Sequence, residues 1–259
     1  MQIITTLPNY EYPFNERIRA LLRLEDIFKK VLFHVNAGDQ NNHHSALILL
    51  LQMLELIERT DIKVDIMHEL DRQILSMQSL IGNPNISTGV LSQTLENTKK
   101  SVATLRAENS KIGQSIRDNK WLMSIKKRAS IPGGACQFDL PSYHYWLNQS
   151  LEKRGQDFDV WLSQLLPMYE SIKIILHLLR SSGVENDCIA TDGNYQKSIT
   201  SPKPTQLLQI NIVDNCGCFP EISANKYALN VRFHSMSLNE KAQACNDDIH
   251  FKMTLCNLM

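Results

Sequence analysis

The chain has 259 residues, of which 43% are hydrophobic and 21% are charged, as is ordinary for a globular protein and unlike a largely disordered chain. Lys plus Arg and Asp plus Glu both number 27, so the formal net charge is zero. This balance argues against the basic excess that is typical of nucleic-acid-binding and membrane-surface proteins.

The sequence shows no segment that would place the protein in or on a membrane. The most apolar run, from Ala46 to Leu51, is too short to span a bilayer. Residues 1–11 lack the positive start and the apolar stretch of a signal peptide. We therefore expect a cytoplasmic protein with no membrane partner, whose sparse and irregular cysteines stay reduced as free thiols.

The first part of the chain has the hydrophobic periodicity of helices. Asn15 is a candidate N-cap for a first helix, in which apolar residues recur on one face from Ile18 to Val35. Similar patterns predict further helices at about 45–58, 61–80, after 87, at 110–128, 141–153 and 158–180, the last interrupted or kinked at Pro167. A multi-helix domain over residues 1–185 follows from these patterns.

The last part of the chain alternates apolar and polar residues. Small and polar residues dominate 181–204, which predicts a linker or mobile loop at 186–204. Beyond it, alternation at 208–212, 227–233 and 249–255 predicts strands with one buried face. The connections are too short for crossover helices, so we expect an α+β fold with a small C-terminal antiparallel β-sheet domain over 205–259. The helical half is the expected cover for the apolar face of that sheet.

Motifs of common catalytic and cofactor sites are missing from the sequence. It contains no glycine-rich phosphate loop, no Gly-x-Ser-x-Gly elbow and no His-Glu-x-x-His pair, so we expect no cofactor, no metal site and no enzyme. The most enzyme-like stretch is Gly133-Gly134-Ala135-Cys136, with His144 as a candidate base for an acyl-transfer thiol. A glycine turn before a small buried residue is the favoured interpretation, because a reactive thiol needs an electropositive environment.

Basic residues cluster at several places. Arg19 and Arg23 stand four apart and therefore project from one helix face, where their guanidinium forks suit carboxylates. Further basic residues follow at 117–128 and, on the polar face of the predicted sheet, at Arg232, His234, His250 and Lys252. These residues indicate either an ordinary solvated surface or an anion-binding patch. Nucleic-acid binding by the same patches is the alternative function, although aromatic stacking motifs are missing.

Several segments resemble the bacterial cell-division family ZapD. The longest match is SIPGGACQFDLP at 130–141, followed by His144 and by Trp146-Leu147. Shorter matches occur in the family's order at 13–16 (PFNE), 22–25 (LRLE), 69–73 (ELDRQ), 112–114 (IGQ) and 231–233 (VRF). Together they extend over nearly the whole chain.

The resemblance implies a homodimer that binds the C-terminal tail of the tubulin-like GTPase FtsZ. Proteins of this family crosslink FtsZ protofilaments into bundles at the midcell division ring and lower their GTPase turnover. The resemblance also implies a basic partner-binding pocket, to which it assigns Arg23, Lys120 and His144, with Arg19 and Arg232 at further basic positions. Lys120 stands where the family is expected to have arginine, and Ala228 where it is expected to have a second basic residue of the sheet.

Overall fold

A computed structural model describes residues 8–59, 61–84, 86–108, 110–199, 204–213, 216–236 and 241–258. The chain divides into two compact units. Residues 20–175 form a helical unit, and the described parts of 1–19 and 176–259 form a β unit. This division differs from the predicted one, because the start of the chain belongs to the β unit.

The helices are α1 (Glu16–Ala37), α2 (Gln40–Glu58), α3 (Ile62–Ser79), α4 (Thr88–Ala107), α5 (Gln114–Asp118), α6 (Lys120–Ala129), α7 (Pro141–Leu147), α8 (Leu151–Ser163) and α9 (Leu166–Arg180). The predicted cap of α1 is confirmed, since Asn15 Oδ1 accepts the N–H of Ile18 at 2.9 Å. Pro167 is the second residue of α9, where a missing N–H costs no helical hydrogen bond.

Two predicted helices are each split in two, and a polar side chain makes the break. Asn119 separates α5 from α6 because its side chain accepts the N–H groups of Trp121 and Leu122. Ser150 starts α8 in the same way and accepts the N–H of Lys153 at 3.2 Å. Such caps satisfy the free N–H groups of a new helix. The predictions of single helices at 110–128 and 141–153 are therefore wrong.

A buried arginine joins several segments of the helical unit. Arg154 is only 5% exposed. Its guanidinium donates hydrogen bonds of 2.6–3.1 Å to the carbonyl oxygens of Gly38, Leu147 and Gln149 and to His43 Nδ1. Because Nδ1 is an acceptor here, the proton of His43 is on Nε2, which lies 3.2 Å from the carbonyl oxygen of Val35. None of these acceptors is a carboxylate, so only neutral groups hold the buried charge.

Acidic pH is expected to destabilise the protein through His43. Burial and, to a smaller extent, the charge of Arg154 lower the pKa of His43, and burial also lowers the pKa of the adjacent His44. Below about pH 6.5, the ordinary pKa of histidine, both histidines bind protons in the unfolded chain. In the folded protein they bind protons only at lower pH, because their pKa values are lowered. The free energy of unfolding is therefore highest above about pH 6.5, and it falls by up to about 1.4 kcal/mol per pH unit for each histidine as the pH drops toward the folded pKa.

Urea unfolding between pH 8 and pH 5 measures this dependence. The matched variant is His43→Asn, whose side-chain oxygen can still accept from Arg154. The variant should be less stable at neutral pH but should lose less stability on acidification. Equal pH slopes for the variant and the wild type would show that His43 is not responsible.

The β unit contains two antiparallel sheets. Its strands are β1 (Asn9–Pro13), β2 (Glu185–Ala190), β3 (Asn194–Ser198), β4 (Leu207–Ile212), β5 (Cys218–Ala224), β6 (Ala228–Ser235), β7 (Gln243–Ala244) and β8 (Ile249–Cys256). The first sheet has the order β1-β4-β8-β2, and the second has the order β3-β6-β5 with β7 paired to β6. The predicted α+β class is confirmed.

The apolar faces of the two sheets cover each other. Ile210 of β4, Val231 of β6 and Met253 of β8 belong to one buried cluster. The rings of Phe233 and Phe251, one from each sheet, have their centroids 5.2 Å apart. The strands with alternating residues were thus predicted correctly. The sequence predicted that helices would cover their apolar face, whereas the structure shows a second sheet packed against it.

The prediction of a linker at 186–204 is wrong for the residues that the structure describes. β2 and β3 lie there and pair with β8 and β6. The turn between them has positive φ at Asp192 and Gly193, a dipeptide that favours two-residue hairpins. Most side chains of both strands are exposed, so they lack the alternation that identifies a strand. Residues 200–203 of the predicted linker lie outside the described residues.

A disulfide joins Cys216 and Cys218, where the sequence predicts free thiols. Gly217 between them has a φ of 63°, which only glycine adopts at little cost. The free cysteines of the described chain are Cys136, Cys188, Cys245 and Cys256. The expectation of free thiols is therefore wrong for this one pair.

Replacing Glu11 of β1 with glutamine is expected to lower the free energy of unfolding by about 1 kcal/mol. Arg180 binds both carboxylate oxygens of Glu11, at 2.7 and 2.8 Å, and Gln209 donates to one of them at 3.1 Å. The pair is largely shielded, with side-chain exposures of 27% and 20%. Urea unfolding measures the loss, with Glu16→Gln as control because Glu16 is 85% exposed. Equal losses for the two variants would contradict the prediction.

Candidate partner-binding surface

Arg19 and Arg23 both belong to α1 but differ in their exposure and their contacts. Arg19 is partly buried, and its Nε lies 3.1 Å from Glu16 Oε1. Arg23, one turn further on, is exposed, and its guanidinium has no hydrogen bond or ion pair within the described part of the chain. The apolar face of the helix, with Ile18, Leu21 and Leu24, is fully buried. Arg23 is therefore the more available of the two for an external carboxylate.

Lys120 and His144 lie on two helices that contact each other. Lys120 is the first residue of α6, is exposed, and forms no ion pair with a described residue. His144 is an exposed residue of α7, and its Nε2 lies 3.3 Å from Asn148 Nδ2. The neighbouring Trp121 donates from Nε1 to Ser142 Oγ at 3.1 Å, which joins the start of α6 to the start of α7. The structure thus brings the elements that carry Lys120 and His144 together.

An aromatic cluster holds this arrangement in place. The Trp121 ring lies 6.4 Å from Tyr143 and 5.7 Å from Trp146, and Phe158 and Trp161 of α8 complete the cluster. Tyr143 is buried, and burial raises the pKa of its hydroxyl. The cluster is not evident from the sequence, although aromatic residues adjoin both Lys120 and His144 there.

Arg232 belongs to the β unit. It is an exposed residue of β6, opposite Asn194 and Glu221 on the neighbouring strands, and it has no ion pair among the described residues. His234, two residues on, lies 3.0 Å from Glu221 Oε2 through its Nε2. The basic residues predicted to share its sheet are divided instead, because β8 with His250 and Lys252 is in the other sheet. Lys252 also pairs with Glu185 at 2.7 Å.

The five predicted residues are divided between the two units. Arg23, Lys120 and His144 belong to the helical unit, whereas Arg19 and Arg232 belong to the β unit. Within the described part of the helical unit, no hydrogen bond or ion pair joins Arg23 to Lys120 or His144. Lys120 and His144 are the pair whose helices are seen in contact.

The remaining basic residues of α6 are partly neutralised. Lys126 lies 3.5 Å from Glu55, and Arg128 lies 3.7 Å from Asp139. Lys127, between them, is exposed and has no ion pair with the residues that the structure describes. The last turn of α6 therefore offers one free ammonium group.

A basic cleft that sequence reasoning missed lies elsewhere in the helical unit. It has a volume of about 670 Å³, and its lining includes Arg59, Lys63, Lys111 and Arg117. Two of these side chains are engaged, since Lys63 donates to the carbonyl oxygen of Glu108 and Arg117 donates to that of Ile112 at 2.7 Å. None of the five predicted residues lines the cleft.

The candidate catalytic thiol is an exposed residue of the loop after α6. Cys136 follows the glycine pair in a chain of tight turns. The described contacts of the His144 ring are with Asn148, and none of them joins that ring to the Cys136 sulfur. No helix in the described ranges combines the length and the apolar character needed to cross a bilayer.

Comparison with known protein sequences identifies the family to which this chain belongs. A sequence model named ZapD and described as a cell division protein matches residues 22–232. The chain belongs to the ZapD family. The ZapD protein of Dechloromonas aromatica (strain RCB) is 44% identical over 250 residues, which cover 96% of this chain and 99% of that protein. The ZapD proteins of Nitrosomonas eutropha and Nitrosomonas europaea are 43% and 41% identical over 96% and 99% of this chain, and over 99% and 97% of their own lengths. All three relatives are named as cell division proteins.

Proposed function

We propose that this protein is a homodimeric crosslinker of FtsZ filaments in the cytoplasm, at the midcell division ring. It binds the C-terminal tail of FtsZ, bundles the protofilaments and lowers their GTPase turnover without catalysing a reaction itself. The match of the ZapD family to residues 22–232 carries this proposal. Full-length relatives that are named as cell division proteins support it.

The carboxylates of the FtsZ tail bind the side chains of Arg23 and Lys120 in the helical unit. Arg23 and Lys120 are exposed and form no ion pair with a described residue, so binding need not break an existing contact. Arg23 supplies a fork for two carboxylate oxygens, and Lys120 supplies a point charge. His144 contributes a ring nitrogen on the adjoining helix, and Arg19 and Arg232 are supporting contacts.

Dimerisation is the physical basis of crosslinking. A homodimer has two tail sites related by symmetry, so it can hold two filaments at once. A disordered tail loses conformational entropy when it binds, which keeps the affinity of each site modest. Many weak contacts along two filaments nevertheless add up to stable bundles, because each later contact is effectively intramolecular.

Co-sedimentation with GTP-bound FtsZ filaments tests the proposal. The protein should pellet with filaments of full-length FtsZ and stay in the supernatant with filaments that lack the C-terminal tail. Higher salt should reduce the pelleted fraction, because exposed charge contacts are screened. Electron microscopy of the same samples should show bundles only with the intact tail. Pelleting that survives removal of the tail would overturn the proposed mode of binding.

A further inference from the structure

The loop between α6 and α7 is folded by successive tight turns. We call residues 130–140 the PGG loop. Backbone N–H groups of Ile131, Gly134, Cys136 and Leu140 donate to carbonyl oxygens three or four residues earlier, at 2.9–3.2 Å. A loop with this many internal hydrogen bonds has a defined shape rather than a choice of conformations.

Two glycines allow that shape. Gly133 has a φ of +72°, which other residues rarely adopt. A Cβ on Gly134 would lie 2.2 Å from the carbonyl oxygen of Arg128, which is backbone and has little freedom to move. The loop is therefore packed directly against the end of α6.

The PGG loop exposes apolar side chains. Ile131 is 48% exposed and Phe138 is 78% exposed. A groove of about 400 Å³ runs beside the loop, and its lining includes His44, Ile48, Ala129, Ile131, Ala135 and Cys136. An apolar concavity beside exposed apolar side chains is a feature of binding surfaces. Its volume suits one or two side chains of a bound segment.

A chain of contacts connects this groove to the basic pair. His44 lines the groove, and its Nδ1 lies 2.7 Å from the Tyr143 hydroxyl. The Tyr143 ring in turn lies 6.4 Å from that of Trp121. Lys120 precedes Trp121 and His144 follows Tyr143, so the groove and these two side chains are held by the same helices. Lys127, which has no ion pair with a described residue, stands two residues before the groove-lining Ala129 and four before Ile131.

We propose that the groove beside the PGG loop takes an apolar side chain of the acidic segment that Lys120 and His144 bind. The occupant is a peptide in which an apolar residue stands close to carboxylates, because the groove is apolar and the helix that ends at it carries Lys120 and Lys127, which have no ion pair with a described residue. This inference rests on the proposed function, since it assigns a second contact to the same FtsZ tail. The apolar contact fixes the register of the tail, which charges alone do not specify.

Fluorescence anisotropy with a labelled peptide of the FtsZ tail tests the inference. Ile131→Ser, at a residue of the groove lining, should weaken binding by about fivefold, in line with the loss of a partly buried apolar contact. Its effect should be the same at about 0.05 M and at about 0.5 M salt, whereas the effect of Lys120→Ala should shrink at the higher salt. The matched control is Leu75→Ser on α3, because Leu75 is 68% exposed and lies outside the groove lining.

A double-mutant cycle identifies the partner residue. Alanine is placed at each apolar position of the tail peptide in turn. One of these peptides should bind wild type about fivefold more weakly but should bind Ile131→Ser with no further loss, because both changes remove one contact. Additive losses at every position would overturn the inference.

The remaining outcomes separate the possible failures. Wild type that does not bind the tail at all overturns the proposed function. If wild type binds and Ile131→Ser binds equally well, the proposed function stands and only the inference is overturned. Variants that keep tail binding but shift toward monomer in sedimentation velocity would identify a second copy of the chain as the occupant, which also overturns it.

Discussion

Replacing Arg154 with methionine is expected to lower the free energy of unfolding by about 3–5 kcal/mol. Methionine fills much of the space but removes every hydrogen bond that the guanidinium donates to three carbonyl oxygens and to His43. The hydrogen bonds to Gly38 and His43 are buried and the other two are partly buried, so acceptors left without a donor are destabilising. Urea unfolding monitored by tryptophan fluorescence measures the loss, since three tryptophans of the helical unit report on its packing.

The matched control for Arg154 is its neighbour on α8. Lys153 is 55% exposed and forms an ion pair of 2.6 Å with Asp157. An exposed pair of this kind contributes about 0.5 kcal/mol, so Lys153→Met should be close to wild type. If Arg154→Met also stays within about 1 kcal/mol of wild type, the buried arginine does not hold these segments together.

Replacing Arg23 with glutamate is expected to weaken binding of the FtsZ tail by at least about tenfold, or roughly 1.4 kcal/mol, while the fold stays intact. The substitution exchanges an attraction to the carboxylates of the tail for a repulsion. The side chain is exposed and has no partner among the described residues, so stability should change by less than about 0.5 kcal/mol. Anisotropy with the tail peptide measures the affinity, and urea unfolding measures the stability.

A second charge reversal tests whether position or net charge matters. Lys99→Glu on α4 changes the net charge by the same amount, and Lys99 is exposed and has no ion pair with the described residues. It should bind the tail almost as well as wild type. Equal weakening by both variants would mean that the tail senses only overall charge, and Arg23 would then not be part of a site.

Sequence patterns predicted those parts of the fold whose stability depends on a continuous apolar face. The α1 and α9 segments and the alternating strands β4, β6 and β8 are of this kind. The patterns failed for segments that form strands only because they pair with a strand distant in the sequence. β2 and β3 expose most of their side chains and exist as strands because β8 and β6 supply hydrogen bonds. Only the Asp192-Gly193 turn signalled them locally.

For the candidate site, too, the sequence indicated single residues but not the contacts that bring their helices together. Residue type and helical spacing pointed to the pair Arg19 and Arg23, and the family resemblance favoured Arg23 and added Lys120 and His144. Neither could show that Trp121 hydrogen-bonds to Ser142 and so joins the two helices that carry the second pair. Such contacts depend on tertiary packing between segments that lie 21 residues apart in the sequence.

The pairing of β1 with β4 sets the order of events during synthesis. Asn9 pairs with Asn211 and Pro13 with Leu207, so the first strand leaves the ribosome roughly two hundred residues before its partner. At translation rates of about 5–20 residues per second, it waits for roughly 10–40 s. All of residues 20–175 are available for folding in that interval. We therefore expect the helical unit to form during translation and the β unit to close last, when β4 pairs with β1.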